Sequence, residues 1–217
     1  MEALKRRLWA YEADLMVLTE FRPNPAGLQL VKELRSAGYL VTHPAQEARQ
    51  NSVMVASRLP GSEAVALEGL PACSAHRFAL VRAEGLHILG AYFAQGAQKQ
   101  PQFDFLLDRA PSILGGEGIV AGDLNTGLHY VDEIGKTFSC EESFRALTTT
   151  GLIDTWRSRQ SNAREYSWLS SHGNPFRLDH VFATPAVDAR VQSVAYDQEP
   201  RLHGETDHSA MFCLVRI

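Results

Sequence analysis

Apolar and polar positions come in short blocks along this chain, and each block carries the period of one kind of element. In Met1–Ala13, Leu4, Leu8 and Tyr11 share one face at helical spacing, which predicts a first helix. The run Asp14-Leu15-Met16-Val17-Leu18-Thr19-Glu20 is short and uniformly apolar, and predicts a buried strand that surfaces at Glu20. Phe21-Arg22-Pro23-Asn24-Pro25 breaks the pattern, after which Leu28–Ala37 is helical and stops at Gly38. Strands are expected at Tyr39–Thr42, Ser52–Ser57 and Ala64–Leu67. Phe78–Ala83 and Leu86–Phe93 flank a tight Glu84-Gly85 turn and read as a hairpin. A helix over Phe103–Leu114 precedes a strand at Ile119–Gly122 that ends in Asp123, and Glu141–Thr150 is helical again. Strands near His180–Ala183, Val187–Tyr196 and Ala210–Ile217 close the chain.

Several strands follow one another with no helix between them, which disfavours a purely parallel doubly wound sheet. Strands packed sheet on sheet, with helices outside, fit the order better and give an α/β (α+β) class. At 217 residues, the chain reads as a single domain over residues 1–217 with a substantial core. A hydrophobic share of 45% and a charged share of 21% exclude a disordered chain, a fibre and a coiled coil. The net charge of −4 means that a polyanionic partner must be met by local basic clusters. Cys73, Cys140 and Cys213 are scattered and form no C-x-x-C, so neither a zinc cage nor a disulfide framework is expected. With no apolar signal core and no membrane-length run, the chain reads as cytoplasmic, with no membrane and no obligate protein partner.

Candidate chemistry gathers just beyond the apolar runs. Glu20 follows Leu15–Leu18; Asp123 and Asn125 lie in Gly122-Asp123-Leu124-Asn125-Thr126; Asp179 lies in Arg177-Leu178-Asp179-His180; Asp207-His208 follows Thr206. Carboxylates and an amide are the hard oxygen donors that magnesium or manganese prefers. A histidine beside a carboxylate is the pairing that moves protons near neutral pH. Together they describe metal-assisted hydrolysis of a phosphate ester. Other hydrolytic and nucleotide-binding signatures are missing: there is no G-x-S-x-G, no H-E-x-x-H, and Gly115-Gly116-Glu117-Gly118 lacks the lysine of a phosphate-binding loop.

In this order the motifs resemble the endonuclease/exonuclease/phosphatase family, with its deoxyribonuclease-I-like fold. The resembling stretches are DLMVLTEF, NSVMVASR, GAYFAQG, VAGDLNT, FRLDHVFAT and TDHSAM, spread over nearly the whole chain. The resemblance implies a four-layer α/β/β/α sandwich of two mixed sheets flanked by helices, with Mg2+ (or Mn2+) at one edge. Glu20 would bind the metal with Asp207 close by, and Asp179 would hold His208 in the useful tautomer. Asp123 would position or deprotonate the attacking water, while Asn125 and Tyr92 would bond phosphate oxygens; Asp123 and His208 both stand as candidate bases. The nearest branch is that of exonuclease III and the abasic endonucleases, which implies a nuclease acting on DNA. Its DNA-facing loop is resembled by the stretch holding Arg157, Arg159, Arg164, Tyr166 and Trp168, with Arg177 beside it. Trp168, Phe176 and Leu178 would form an apolar pocket for an abasic sugar.

One departure concerns the start. The family opens on a strand ending in an asparagine, whereas this chain begins directly with the helix that follows, and neither Asn24 nor Asn51 takes that place by position. The competing readings are a phosphatase or phosphodiesterase on lipid or small phosphate esters, and a member that binds without turnover.

Overall fold

The computed structural model describes residues 2–161 and 163–217, so Met1 of the first expected helix and Asn162 of the arginine-bearing loop lie outside the described residues. Its centre is a six-stranded sheet of β4 (Glu63–Val65), β5 (Phe78–Ala83), β6 (Leu86–Tyr92), β7 (Gly118–Asp123), β11 (Asp179–Ala183) and β8 (Ile153–Asp154), in that spatial order. Only β6 and β7 run parallel, joined by the crossover helix α3 (Gln100–Leu114), so this sheet is mixed. The facing layer is antiparallel and in two pieces. One is β1 (Leu15–Phe21), β3 (Ser52–Ser57) and β2 (Leu40–Thr42), with β3 in the middle; the other is the hairpin β12 (Val191–Asp197) and β13 (Ala210–Val215). A small hairpin, β9 (Trp168–Leu169) with β10 (Pro175–Phe176), lies at the edge.

The layers follow from alternation along the strands. In β3 every residue is buried, because Met54 and Ala56 face α2 (Pro25–Ser36) while Val53 and Val55 face the large sheet. Strand β6 divides in the same way: Ile88 and Tyr92 point between the sheets, and Leu89 and Ala91 point towards α3 and α4 (Glu141–Ala146). Three apolar layers between four layers of structure are the expected sandwich. Gly90 permits its close approach: a Cβ there would lie 2.6 Å from a Val55 methyl.

The short helices carry corrections to the expected boundaries. Helix α2 begins at Pro25 because the Asn24 side chain accepts the Gly27 N–H at 2.9 Å, an N-cap followed by proline at the first position. The strand expected from Val187 begins only at Val191, since Pro185 starts the single-turn α6 (Pro185–Asp188) and buries Val187 from it. α5 (Thr155–Arg159) and α7 (Glu199–Leu202), each about a turn long, fall where no helix was expected. α1 (Glu2–Ala10) lies on the outside and buries none of its residues completely.

Candidate active site

Strand register builds the site. In the large sheet Tyr92, Asp123 and Asp179 pair side by side across β6, β7 and β11, so three strand ends bring a phenol and two carboxylates into one row. Gly122 makes the row possible: it adopts φ +143°, and a Cβ there would sit 1.9 Å from the Ala91 carbonyl oxygen. From the facing layer β1 delivers Glu20 at a bulge, with φ +57°, onto the Tyr92 hydroxyl, which donates to Glu20 Oε1 at 3.1 Å. His208, just before β13, closes the other end, with its Nδ1 2.8 Å from Asp179 Oδ2. Glu20, Tyr92, Asp123, Asp179 and His208, far apart in sequence, therefore form one line.

Electrostatics distinguish the members. Burial first, then the neighbouring Asp179 charge, holds the Asp123 carboxyl above the usual carboxylate range, with His208 partly offsetting both. Burial alone would favour a neutral His208 ring, but the Asp179 carboxylate overrides it and the imidazole is pushed up to about 10. Asp179 is held low in return, again against burial, by His208. The resting arrangement is thus a carboxyl that retains a proton readily beside an imidazolium–carboxylate pair.

The turn after β7 is knit to itself. Asn125, at φ +50°, gives its backbone N–H to Asp123 Oδ1 at 2.7 Å. Its side-chain amide donates to the Phe93 carbonyl at 2.9 Å and to Asp123 Oδ2 at 3.1 Å. In this arrangement the amide clamps Asp123 within the turn. Trp168 bridges to His208 and donates its indole N–H to Asp207 Oδ2 at 3.1 Å, which places Asp207 beside the imidazole.

The expected substrate arginines divide sharply. Arg177 is wholly buried; its guanidinium meets Asp132 at 2.7 Å and Asp154 at 2.6 Å, so it cannot reach a ligand. Arg157 is held by Asp132 at 2.6 Å and by the carbonyls of Gln160, Ser161 and Ala163. Arg159 is tied to Asp188 at 2.6 Å. Arg157 and Arg177 are therefore corrected from substrate contacts to struts, while Arg164 is exposed. Leu178 is also buried, its backbone N–H bonded to Ser167 Oγ at 3.0 Å, so the expected sugar pocket is reduced to half-buried Trp168 and Phe176, with ring centroids 5.8 Å apart.

Three participants escaped the motif reading. Asn51, before β3, directs its amide N–H to the Tyr92 hydroxyl at 3.4 Å, while Arg22 holds its side-chain oxygen. Lys99 is buried beneath the Asp123 turn with its ammonium on the Asn125 carbonyl, and burial pulls its pKa down to about 8. Tyr196 donates to the Asp179 carbonyl at 2.6 Å and fixes the strand that carries the carboxylate. Asn51 opens the stretch NSVMVASR but had no role assigned there, because its neighbours Tyr92 and Glu20 lie on two other strands. Among the described residues no three His, Cys, Asp or Glu side chains form a ready cage for a metal. A lone exposed Glu20 carboxylate still suits a hydrated divalent ion, which uses one or two carboxylates together with substrate phosphate.

A sandwich with this acid–phenol–imidazole row across its strand ends carries the motifs of phosphate-ester chemistry in one place. The chain belongs to the Endonuclease/Exonuclease/phosphatase family, whose model matches residues 1–208. Among solved structures it resembles the 3′ phosphatase NExo from Neisseria, in complex with a product DNA hairpin, at 20% identity and a TM-score of 0.83, covering 99% of this chain and 94% of that one. An AP endonuclease from Archaeoglobus fulgidus is similar at 18% identity and a TM-score of 0.80, over 98% of this chain and 92% of that one. TDP2 from D. rerio, complexed with a single-strand DNA product, aligns at 18% identity and a TM-score of 0.70, over 100% and 91% of the two chains. No curated protein sequence gives a significant match.

Proposed function

We propose that this protein is a divalent-metal-dependent phosphodiesterase that hydrolyses DNA by attack of water on a scissile phosphate. The line Tyr92–Asp123–Asp179–His208, faced by Glu20, is the observation that carries the reading. The family and the DNA complexes of two structural relatives support it.

In its ionised form, which His208 and the Asn125 N–H favour against burial, Asp123 takes the proton of the attacking water. With Nδ1 bound to Asp179, the His208 imidazolium uses Nε2 to donate to a phosphate oxygen and offsets the charge that grows at phosphorus. From the other side Asn51 donates to the same phosphate, as does Tyr92 once its hydroxyl proton turns from Glu20. Glu20 and Asp207 would hold Mg2+ (or Mn2+), which when bound neutralises the phosphate and the leaving oxygen. Arg164 and Trp168 steady the flanking strand.

The test is incubation of the purified protein with single-stranded, duplex, abasic-site and 3′-phosphorylated hairpin DNA, with Mg2+ or with EDTA. Metal-dependent cleavage or 3′-phosphate release is expected to fall at least about a hundredfold in Asp123→Asn and in His208→Gln, with circular dichroism unchanged. Full activity in either variant refutes the assignment. Turnover of a small phosphodiester without any action on DNA would overturn the substrate.

A further inference from the structure

Beyond the reacting groups, a ridge of rings leads away from His208. The His208 ring lies 6.4 Å from Trp168, which lies 5.8 Å from Phe176; Phe176 is 5.5 Å from Phe138, and Phe138 is 6.3 Å from His129. Tyr130 follows at 6.5 Å. The last three rings sit on the loop between β7 and α4, and that loop is built rather than slack. Glu133, buried at its centre, accepts the backbone N–H groups of Thr137 at 2.8 Å and Phe138 at 3.0 Å and lies 2.7 Å from His129 Nδ1. A bridge from Glu133 to Phe176 and a bond from the Arg177 N–H to the Asp132 carbonyl at 2.8 Å fasten the loop to the segment that leads into β11.

This ordered loop presents two large apolar side chains to solvent. Tyr130 is 60% exposed and Ile134 is 61% exposed. Tyr130 also stands at φ +61°, a conformation that costs a non-glycine residue free energy, so its display is held against local preference.

We propose that this ridge, from Trp168 out to Tyr130 and Ile134, binds an unpaired nucleic-acid strand by stacking its bases beside the scissile phosphate. The inference rests on the nucleic-acid reading above and deepens it to a class of substrate. Half-exposed ring faces match the faces of unstacked bases, whereas a duplex hides those faces and offers only edges and phosphates. Continuity with His208 ties the ridge to the reaction, and exposed Lys136 on the same loop supplies a cation for the backbone.

The experiment uses the double variant Tyr130→Asn, Ile134→Ser. Asparagine tolerates the left-handed backbone, so the loop keeps its shape while the apolar surface goes. Fluorescence anisotropy of a labelled single strand of about ten nucleotides, in EDTA, reads binding without turnover. Affinity for the single strand is expected to fall about tenfold, with duplex affinity and turnover of bis(p-nitrophenyl) phosphate unchanged. Unaltered single-strand affinity overturns the proposal, as does an equal loss for single strand and duplex. A wild-type protein that hydrolyses the small diester but binds and cleaves no nucleic acid overturns the nucleic-acid reading itself, an outcome distinct from failure of the ridge.

Discussion

At the scale of single residues, Asn51 shows how a side chain with no role assigned from its motif enters the site. Its amide could point either way from a loop, but the Arg22 guanidinium takes the oxygen and so turns the N–H2 towards Tyr92. The phenol in turn gives its proton to Glu20. Asn51→Ala removes the donor without adding charge, and kcat/KM is expected to drop about tenfold, or about 1.4 kcal/mol of transition-state stabilisation. Asn51→Asp would set a carboxylate beside Glu20 and should cost more. Steady-state kinetics at saturating Mg2+ check both, and an unchanged kcat/KM in Asn51→Ala would make the residue a bystander. Asn24, the other asparagine considered, has a different task as the cap of α2. Glu20, Asp123, Asp179 and His208 were legible in the sequence because each borders an apolar run at a strand end. Asn51 was not, since its place depends on the pairing of β1 with β3 and on Tyr92 from the other sheet.

At the scale of elements, the polar network under β8, β10 and β11 explains why arginines in a basic-looking loop are not a binding face. In sequence, Arg157 and Arg177 read as substrate contacts among aromatics; their carboxylate partners, Asp132 and Asp154, are distant enough to hide the pairing. Arg177 ties the β7–α4 loop to β8, so the network sets the position of the loop that carries Tyr130. Burial pushes Asp132 and Asp154 upward, but Arg177 overrides it and both are held below the ordinary carboxylate range. A carboxyl whose folded pKa is depressed adds stability that is complete above its unfolded value of about 4 and drains as pH falls towards the folded value. Asp132→Asn leaves Arg177 partly unpaired in the interior and should cost about 3–5 kcal/mol. Urea unfolding should show that deficit constant from about pH 8 to about pH 5 and shrinking below about pH 4. A deficit that grew on acidification would contradict the assigned direction.

For the whole molecule, the order of the apolar blocks pointed to two packed sheets with helices outside, because several strands follow one another with no helix between them. What they did not encode is that the second layer is split. Among the described residues β1 pairs only with β3, and β13 only with β12. The split is spanned by α1. On one side Lys5 meets Glu33 of α2 at 2.8 Å, and Trp9 packs 6.5 Å from Tyr39. On the other, Arg7 pairs with Glu205, and Tyr11 sets its ring edge on Phe212 at 4.7 Å and its hydroxyl on Asp197 at 2.7 Å. A helix with no fully buried residue, together with Tyr11 in the turn that follows it, thus holds β12–β13, and His208 just before β13, in register with the carboxylates of the large sheet. Tyr11→Ala should remove about 1–3 kcal/mol of stability, concentrated in that hairpin. Hydrogen exchange should rise in Val191–Asp197 and Ala210–Val215 while Ser52–Ser57, buried on both faces, stays protected. Turnover should fall as well, because a looser hairpin misplaces His208 against Asp179. Uniformly raised exchange, or a loosened hairpin with full activity, would show that α1 is not the strap that carries the imidazole.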